Sequence, residues 1–329
     1  MLPRVPPVAV DLLLFVLLPC LVIGCAAVSG PRLDDLDVHD LAPRVGEGMR
    51  VLAVTAHPDD EIAFAGVLYK SASHLDAACD LLVITDGNAG YKYSTLAERV
   101  YGAALTDPEV GRARLPAIRR AELIACGEVL GLRRIVFLHQ PDPRYTKDPG
   151  EVLAAGEAGW DLVRVRRALD AVLRAGRYDF VLTHLPVPDT HGHHKAATIL
   201  ALEAVAALPE AERPVVLGAY HRLQAGAAPV VPDALDGYEI TRIRRDIGPF
   251  EFDRTQRFGY RDQLDYHIVV NWAIAAHRSQ GTMQKLMGKS DVEGFFAYAL
   301  AGPASGPARV ADWFRRLAEP QFEARTYPE

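Results

Sequence analysis

Short apolar runs recur along the chain, each followed by a stretch with helical spacing. Strands are expected near 50–56, 80–85, 134–138, 179–183 and 214–219, with Val51-Leu52-Ala53-Val54 the clearest. Apolar runs of this length suit buried strands. Between them, helices are expected over about 60–74, 114–131, 160–176 and 194–207. This alternation predicts an α/β fold, a three-layer, Rossmann-like, mostly parallel sheet with helices on both faces. Beyond Pro229 the pattern loosens, until a helix from about Tyr266 to Gln280. The rest of the chain is expected to pack on the core and wall a pocket, with Phe295, Phe296 and Trp313 as anchors.

The amino end has a different pattern. Arg4 precedes an apolar stretch from Leu12 to Ile23, and Val22-Ile23-Gly24-Cys25 fits a bacterial lipobox. Residues 1–24 therefore read as a lipoprotein-type signal peptide, with Cys25 as the lipidated first residue of the mature chain. The expected location is outside the cytoplasm, lipid-anchored to a bacterial membrane. An uncleaved N-terminal membrane anchor is the alternative, because the run extended through Val28 nears the ~17 residues that a span requires. Residues 25–48, with Asp34, Asp35, Asp37 and Asp40, are expected as an acidic tether. Residues 49–329 form the expected folded domain, with 230–329 as its pocket-walling portion.

Composition narrows the classes. With 50% hydrophobic and 24% charged residues the chain can bury a full core. A net charge of −6 argues against a nucleic-acid surface. Cys79 and Cys126 read as buried free thiols rather than a disulfide framework. G-x-S-x-G, G-x-G-x-x-G and a complete phosphate loop are all absent from the sequence.

The candidate chemistry sits at two strand ends. Ala56-His57-Pro58-Asp59-Asp60-Glu61 follows the first strand and packs an imidazole beside three carboxylates. A histidine and a carboxylate there suit a metal such as zinc, whereas a helix N-terminus needs only one acidic residue. The second cluster, Asp189-Thr190-His191-Gly192-His193-His194, follows the fourth strand. His191 and His194 are spaced to share one helix face, and His193 should point elsewhere. Two such clusters in one parallel sheet can converge on a single metal site.

The ordered set resembles the PIG-L/LmbE-like zinc-dependent de-N-acetylases. Arg119-Arg120-Ala121-Glu122 with Leu130-Gly131 is similar to that family's R-x-x-E…LG helix, and Ala276-His277-Arg278-Ser279-Gln280 to its AHxSQ segment. The resemblance implies one Zn2+ per chain on His57, Asp60 and His194, with another divalent metal such as Fe2+ as an alternative. It implies Asp59 as general base and His191 as stabiliser of the oxyanion. The reaction implied is removal of an N-acetyl or other acyl group from an N-acetylglucosamine-type conjugate. A metal- or sugar-binding lipoprotein without catalysis is the alternative function, although such a site has no use for a free Asp59.

Several residues carry two readings. Arg119 and Asp142 read equally as substrate contacts and as ion-pair residues, and His277 as a pocket residue or a helix-capping surface histidine. The family's second cluster is commonly HPDH, whereas Gly192 and His193 occupy the middle places here. The aspartate so replaced could orient the first histidine and keep it charged, so the protonation of His191 is open.

Overall fold

The strands of the structure are β1 (Asp37–Asp40), β2 (Arg50–Thr55), β3 (Ala78–Thr85), β4 (Arg134–Gln140), β5 (Phe180–His184), β6 (Val215–His221), β7 (Phe250–Asp253), β8 (Arg257–Phe258), β9 (Leu264–Asp265) and β10 (Val292–Ala297). The structure, a computed structural model, describes residues 32–41, 48–154, 159–221, 231–303 and 306–320. The expected signal peptide at 1–24 and Cys25 lie outside the described residues. Among the described residues no helix is long and apolar enough to cross a membrane.

Eight strands form one sheet in the order β1-β4-β3-β2-β5-β6-β10-β7, and β8 pairs with β9 separately. Strands β2 to β6 are mutually parallel, while β1, β7 and β10 join antiparallel. The helices are α1 (Ala65–His74), α2 (Thr95–Tyr101), α3 (Pro108–Leu130), α4 (Pro149–Leu153), α5 (Leu162–Gly176), α6 (Gly192–Ala206), α7 (Tyr266–Ala276) and α8 (Gly306–Ala318). Strand periodicity divides them into two outer layers. Val51 and Ala53 of β2 belong to the core packed under α1, α3, α7 and α8, while Leu52 and Val54 belong to the core under α5 and α6. The fold is the three-layer, Rossmann-like α/β architecture expected.

Local chemistry explains the element ends. Asp107 caps α3 by accepting from the Glu109 and Val110 N–H groups, and Pro108 takes the first helical position, where its missing N–H costs nothing. Gly131 closes the helix at a φ of 71°, which glycine adopts without steric cost. The expected helix over 60–74 is divided, with a 3-10 turn at Asp60–Phe64 preceding α1.

The C-terminal region also differs from expectation. Phe295 and Phe296 are buried, but as members of strand β10, which inserts between β6 and β7. Trp313 is buried on α8, where it stacks on Phe180 and donates to Ser71 Oγ at 3.1 Å. Within the expected tether, Asp37–Asp40 forms β1, an edge strand paired with β4. Cys79 and Cys126 are buried free thiols.

The topology selects one edge of the sheet. From β2 the chain moves outward to β3 and β4, then returns to the other side of β2 for β5 and β6. The direction of winding reverses between β2 and β5, and ligands bind at the carboxyl side of such a crevice. Both histidine clusters open onto it.

Candidate metal centre and active site

The loop after β2 folds back on itself. Asp60 Oδ2 accepts from the His57 and Ala56 N–H groups at 2.7 and 3.1 Å, which turns Oδ1 toward His194 Nε2 at 3.0 Å. His57 Nδ1 lies 3.2 Å from His194 Nε2 and 3.4 Å from Asp60 Oδ2. Three donor atoms thus converge from two strand ends. Zinc–ligand bonds of about 2.0–2.1 Å in a tetrahedron place neighbouring donors about 3.3 Å apart. The spacings of His194 Nε2 to His57 Nδ1 and to Asp60 Oδ1 fit zinc, and three protein ligands would leave one position open, as in catalytic sites.

Asp59 stands outside that set. Its φ of 126° is left-handed backbone for a residue with a side chain, a strained conformation that neighbours must hold. Its N–H donates to Glu61 Oε2 at 3.0 Å, and its carboxylate pairs with Arg119 Nη2 at 3.0 Å. Arg119 also donates to the carbonyls of Pro58 and, at 2.6 Å, Gly87. Only a glycine admits this approach, because a Cβ on Gly87 would lie 2.2 Å from Arg119 Nη1. Burial pushes the Asp59 carboxyl above its usual range, against the pull of Arg119. Asp60 is held well below it, because the neighbouring His194 and His57 outweigh the cost of burial.

The sequence motifs lock to one another in space. Glu61 Oε1 meets His277 Nε2 at 2.5 Å, with both side chains fully buried. Glu122 accepts from Ser279 N and Oγ at 2.7 and 2.6 Å. His277 is therefore neither a pocket wall nor a surface cap; it braces the AHPDDE loop from behind. Its position just past α7 delivers Gln280 to the site cavity.

His191 forms the N-cap of α6, its Nδ1 accepting from the His193 N–H at 3.0 Å. The proton of the neutral ring must then sit on Nε2, which makes His191 a hydrogen-bond donor without a charge. Burial, followed by His57, His193 and His194, pushes its pKa down to about 2. Gly192 donates to Thr146 O at 2.7 Å, a contact that proline, lacking an N–H, cannot make. His193 does point away from the metal triad, but toward its back. Its Nδ1 reaches His57 Nε2 at 3.0 Å and lies 3.5 Å from Asp142 Oδ1. It thereby pairs with the ring nitrogen of His57 that faces away from His194, a contact that spacing alone did not reveal.

A cavity of about 440 Å³ opens over the site. His57, Asp59, Asp60, His191, His194, Arg119 and Asp142 reach it, whereas His277 does not. Asp142 is largely occupied below the cavity, where Oδ2 accepts from Ala89 N at 3.2 Å. Tyr93, Tyr145, Lys92 and Gln280 line the cavity and were not anticipated. Tyr93 and Tyr145 follow the carboxyl ends of β3 and β4, so position after a strand was the available clue.

Among solved structures, the chain is similar to the N,N'-diacetylchitobiose deacetylase of Pyrococcus horikoshii, with 20% identity, 79% of this chain and 87% of that one covered, and a TM-score of 0.40. A deacetylase of teicoplanin biosynthesis, in a triple-mutant form, shares 18% identity over 76% and 99% of the chains, with a TM-score of 0.49. The 4-carboxy-2-hydroxymuconate hydratase of Pseudomonas putida shares 18% over 76% and 96%, with a TM-score of 0.46. No curated protein matches the chain. The family model described as PIG-L, GlcNAc-PI de-N-acetylase, matches residues 52–205, a span holding both clusters.

Proposed function

We propose that the protein is a metal-dependent N-deacylase of N-acetylglucosamine-type conjugates. The observation that carries this reading is the carboxylate of Asp59, paired with Arg119 and standing outside the converging donors of His57, Asp60 and His194. A site built only to bind metal or sugar has no use for it. Zinc held by His57, Asp60 and His194 would supply a Lewis acid and acidify water.

The chain's own residues account for the remaining work. Asp59 takes a proton as water attacks the amide carbon, and returns it to the nitrogen as the C–N bond breaks. His191 donates from Nε2 to the carbonyl oxygen as negative charge builds there. Arg119 aims the Asp59 carboxylate and favours its ionised form against the effect of burial. Tyr93 and Tyr145 offer flat apolar faces to a sugar ring, and Gln280 a side-chain amide. The reaction closes with one carboxylate and one free amine for each water consumed.

The lipobox at Val22-Ile23-Gly24-Cys25 supports an exported enzyme tethered through Cys25. The domain from 49 onward would then meet glycoconjugates outside the cytoplasm. The test is carboxylate release from N-acetylglucosamine conjugates by protein stripped of metal and then reloaded. Equal amounts of acetate and new amine, appearing only after reloading, support the reading. Absence of release across glycan, lipid and small-thiol conjugates would remove it.

A further inference from the structure

A second cavity, of about 280 Å³, meets the first at Asp59, Asp60, His194 and Met283. Its wall is mostly apolar: Ile62, Ala63, Leu185, Val187, Tyr220 and Leu286. His184 and Thr190 give it a polar edge. These residues come from both sides of the winding reversal. Ile62 and Ala63 follow β2, Leu185 and Val187 follow β5, Tyr220 is on β6, and Leu286 ends a 3-10 turn at Met283–Leu286.

The two cavities differ in chemistry as the two halves of an N-acyl amino sugar do. The first carries Lys92, Arg112, Gln280 and two tyrosines, groups that suit hydroxyls and a ring face. The second offers few polar partners and suits a hydrocarbon. The metal ligands and Asp59 stand where the two meet, which is where the scissile amide has to lie. An acetyl methyl needs little more room than a water molecule, whose share of the liquid is about 30 Å³. The apolar cavity holds several times that volume.

Accepting the deacylase reading on which this rests, the geometry points to a preferred substrate with an N-acyl chain longer than acetyl, lodged in the apolar cavity. Water adds to the acyl carbon, the C–N bond breaks, the sugar amine takes the proton from Asp59, and a short- to medium-chain carboxylate leaves. The aliphatic chain selects by burial. Each methylene taken from water strengthens binding about fourfold, and this reaches kcat/KM when the contact persists in the transition state.

The experiment uses metal-loaded protein and one glucosamine glycoside carrying N-acetyl, N-butyryl or N-hexanoyl groups, with carboxylate release followed as kcat/KM. Butyryl is expected to exceed acetyl by about fifteenfold, with a further gain for hexanoyl. Leu286→Trp and, separately, Val187→Trp should narrow the ratio of hexanoyl to acetyl. Using two sites guards against one variant failing to fold, which circular dichroism would show. Release of acetate in preference to both longer acids overturns this inference and leaves the deacylase reading standing. Release of no acid from any of the three overturns both.

Discussion

Arg119 Nη2 stands 3.0 Å from Asp59 Oδ2, in a pair that is 3% and 14% exposed at its side chains. The same guanidinium holds the carbonyls of Pro58 and Gly87, so one side chain ties the loop after β2 to the loop after β3. On the proposed reading Arg119 would act through Asp59, as a positioning residue.

Replacing Arg119 should separate charge from geometry. Arg119→Lys keeps the charge but loses the planar fork, so kcat is expected to fall about 10–100-fold with a smaller change in KM, as for a misplaced catalytic group. Arg119→Ala leaves Asp59 buried without its partner and should cost about 3–5 kcal/mol of stability. Steady-state kinetics and denaturant unfolding provide the two readings. A lysine variant with unchanged kcat would return Arg119 to a plain substrate contact.

His194→Ala removes one of the three candidate ligands, the one 3.2 Å from His57 Nδ1 and 3.0 Å from Asp60 Oδ1. Metal content per folded chain is expected to drop below that of the wild type after dialysis against a chelator of intermediate strength. Full retention of zinc by a folded variant would exclude His194 from the ligand set.

The buried Glu61–His277 pair predicts a pH window for stability. Burial disfavours the charge on both, but their mutual attraction prevails, so Glu61 lies below its ordinary 4.5 and His277 above its ordinary 6.5. The contribution of His277 is complete below pH 6.5 and is lost as pH rises through its raised value. That of Glu61 is complete above pH 4.5 and is lost as pH falls through its lowered value. The Tm difference between the wild type and the double variant Glu61→Gln, His277→Gln should therefore be widest between pH 4.5 and 6.5. A difference independent of pH would show that the pair is not ionised in the folded protein.

Export has its own readout. Mass spectrometry of membrane-extracted protein is expected to find a mature chain beginning at an acylated Cys25, and stable anchoring needs two or more acyl chains. An intact Met1 or an unmodified Cys25 would favour the uncleaved anchor.

Much of this architecture was legible because strands and active-site loops leave strong local marks. All five apolar runs became parallel strands within a few residues of their expected bounds, since a buried parallel strand needs an unbroken apolar sequence. The convergence of His57, Asp60 and His194 was legible in their residue types and their places after strands. The weaker features depend on long-range partners. Asp37–Asp40 is an edge strand with little apolar content, stabilised by β4 nearly a hundred residues later. Glu61 and His277 are 216 positions apart, and only the fold shows that they meet. The back contact from His193 to His57 is equally hidden, because helical spacing excludes it from the metal face without naming its partner.

The measurement that bears most directly on the central claim pairs metal content with acetate release in the wild type and in Asp59→Asn. Asparagine keeps the size of the side chain but cannot accept the proton, and Asp59 is not among the three converging ligands. The account predicts that both proteins hold equal zinc and that the variant releases acetate from an N-acetylglucosamine conjugate about 10²–10⁴ times more slowly. Near-wild-type release by the zinc-loaded variant would contradict it.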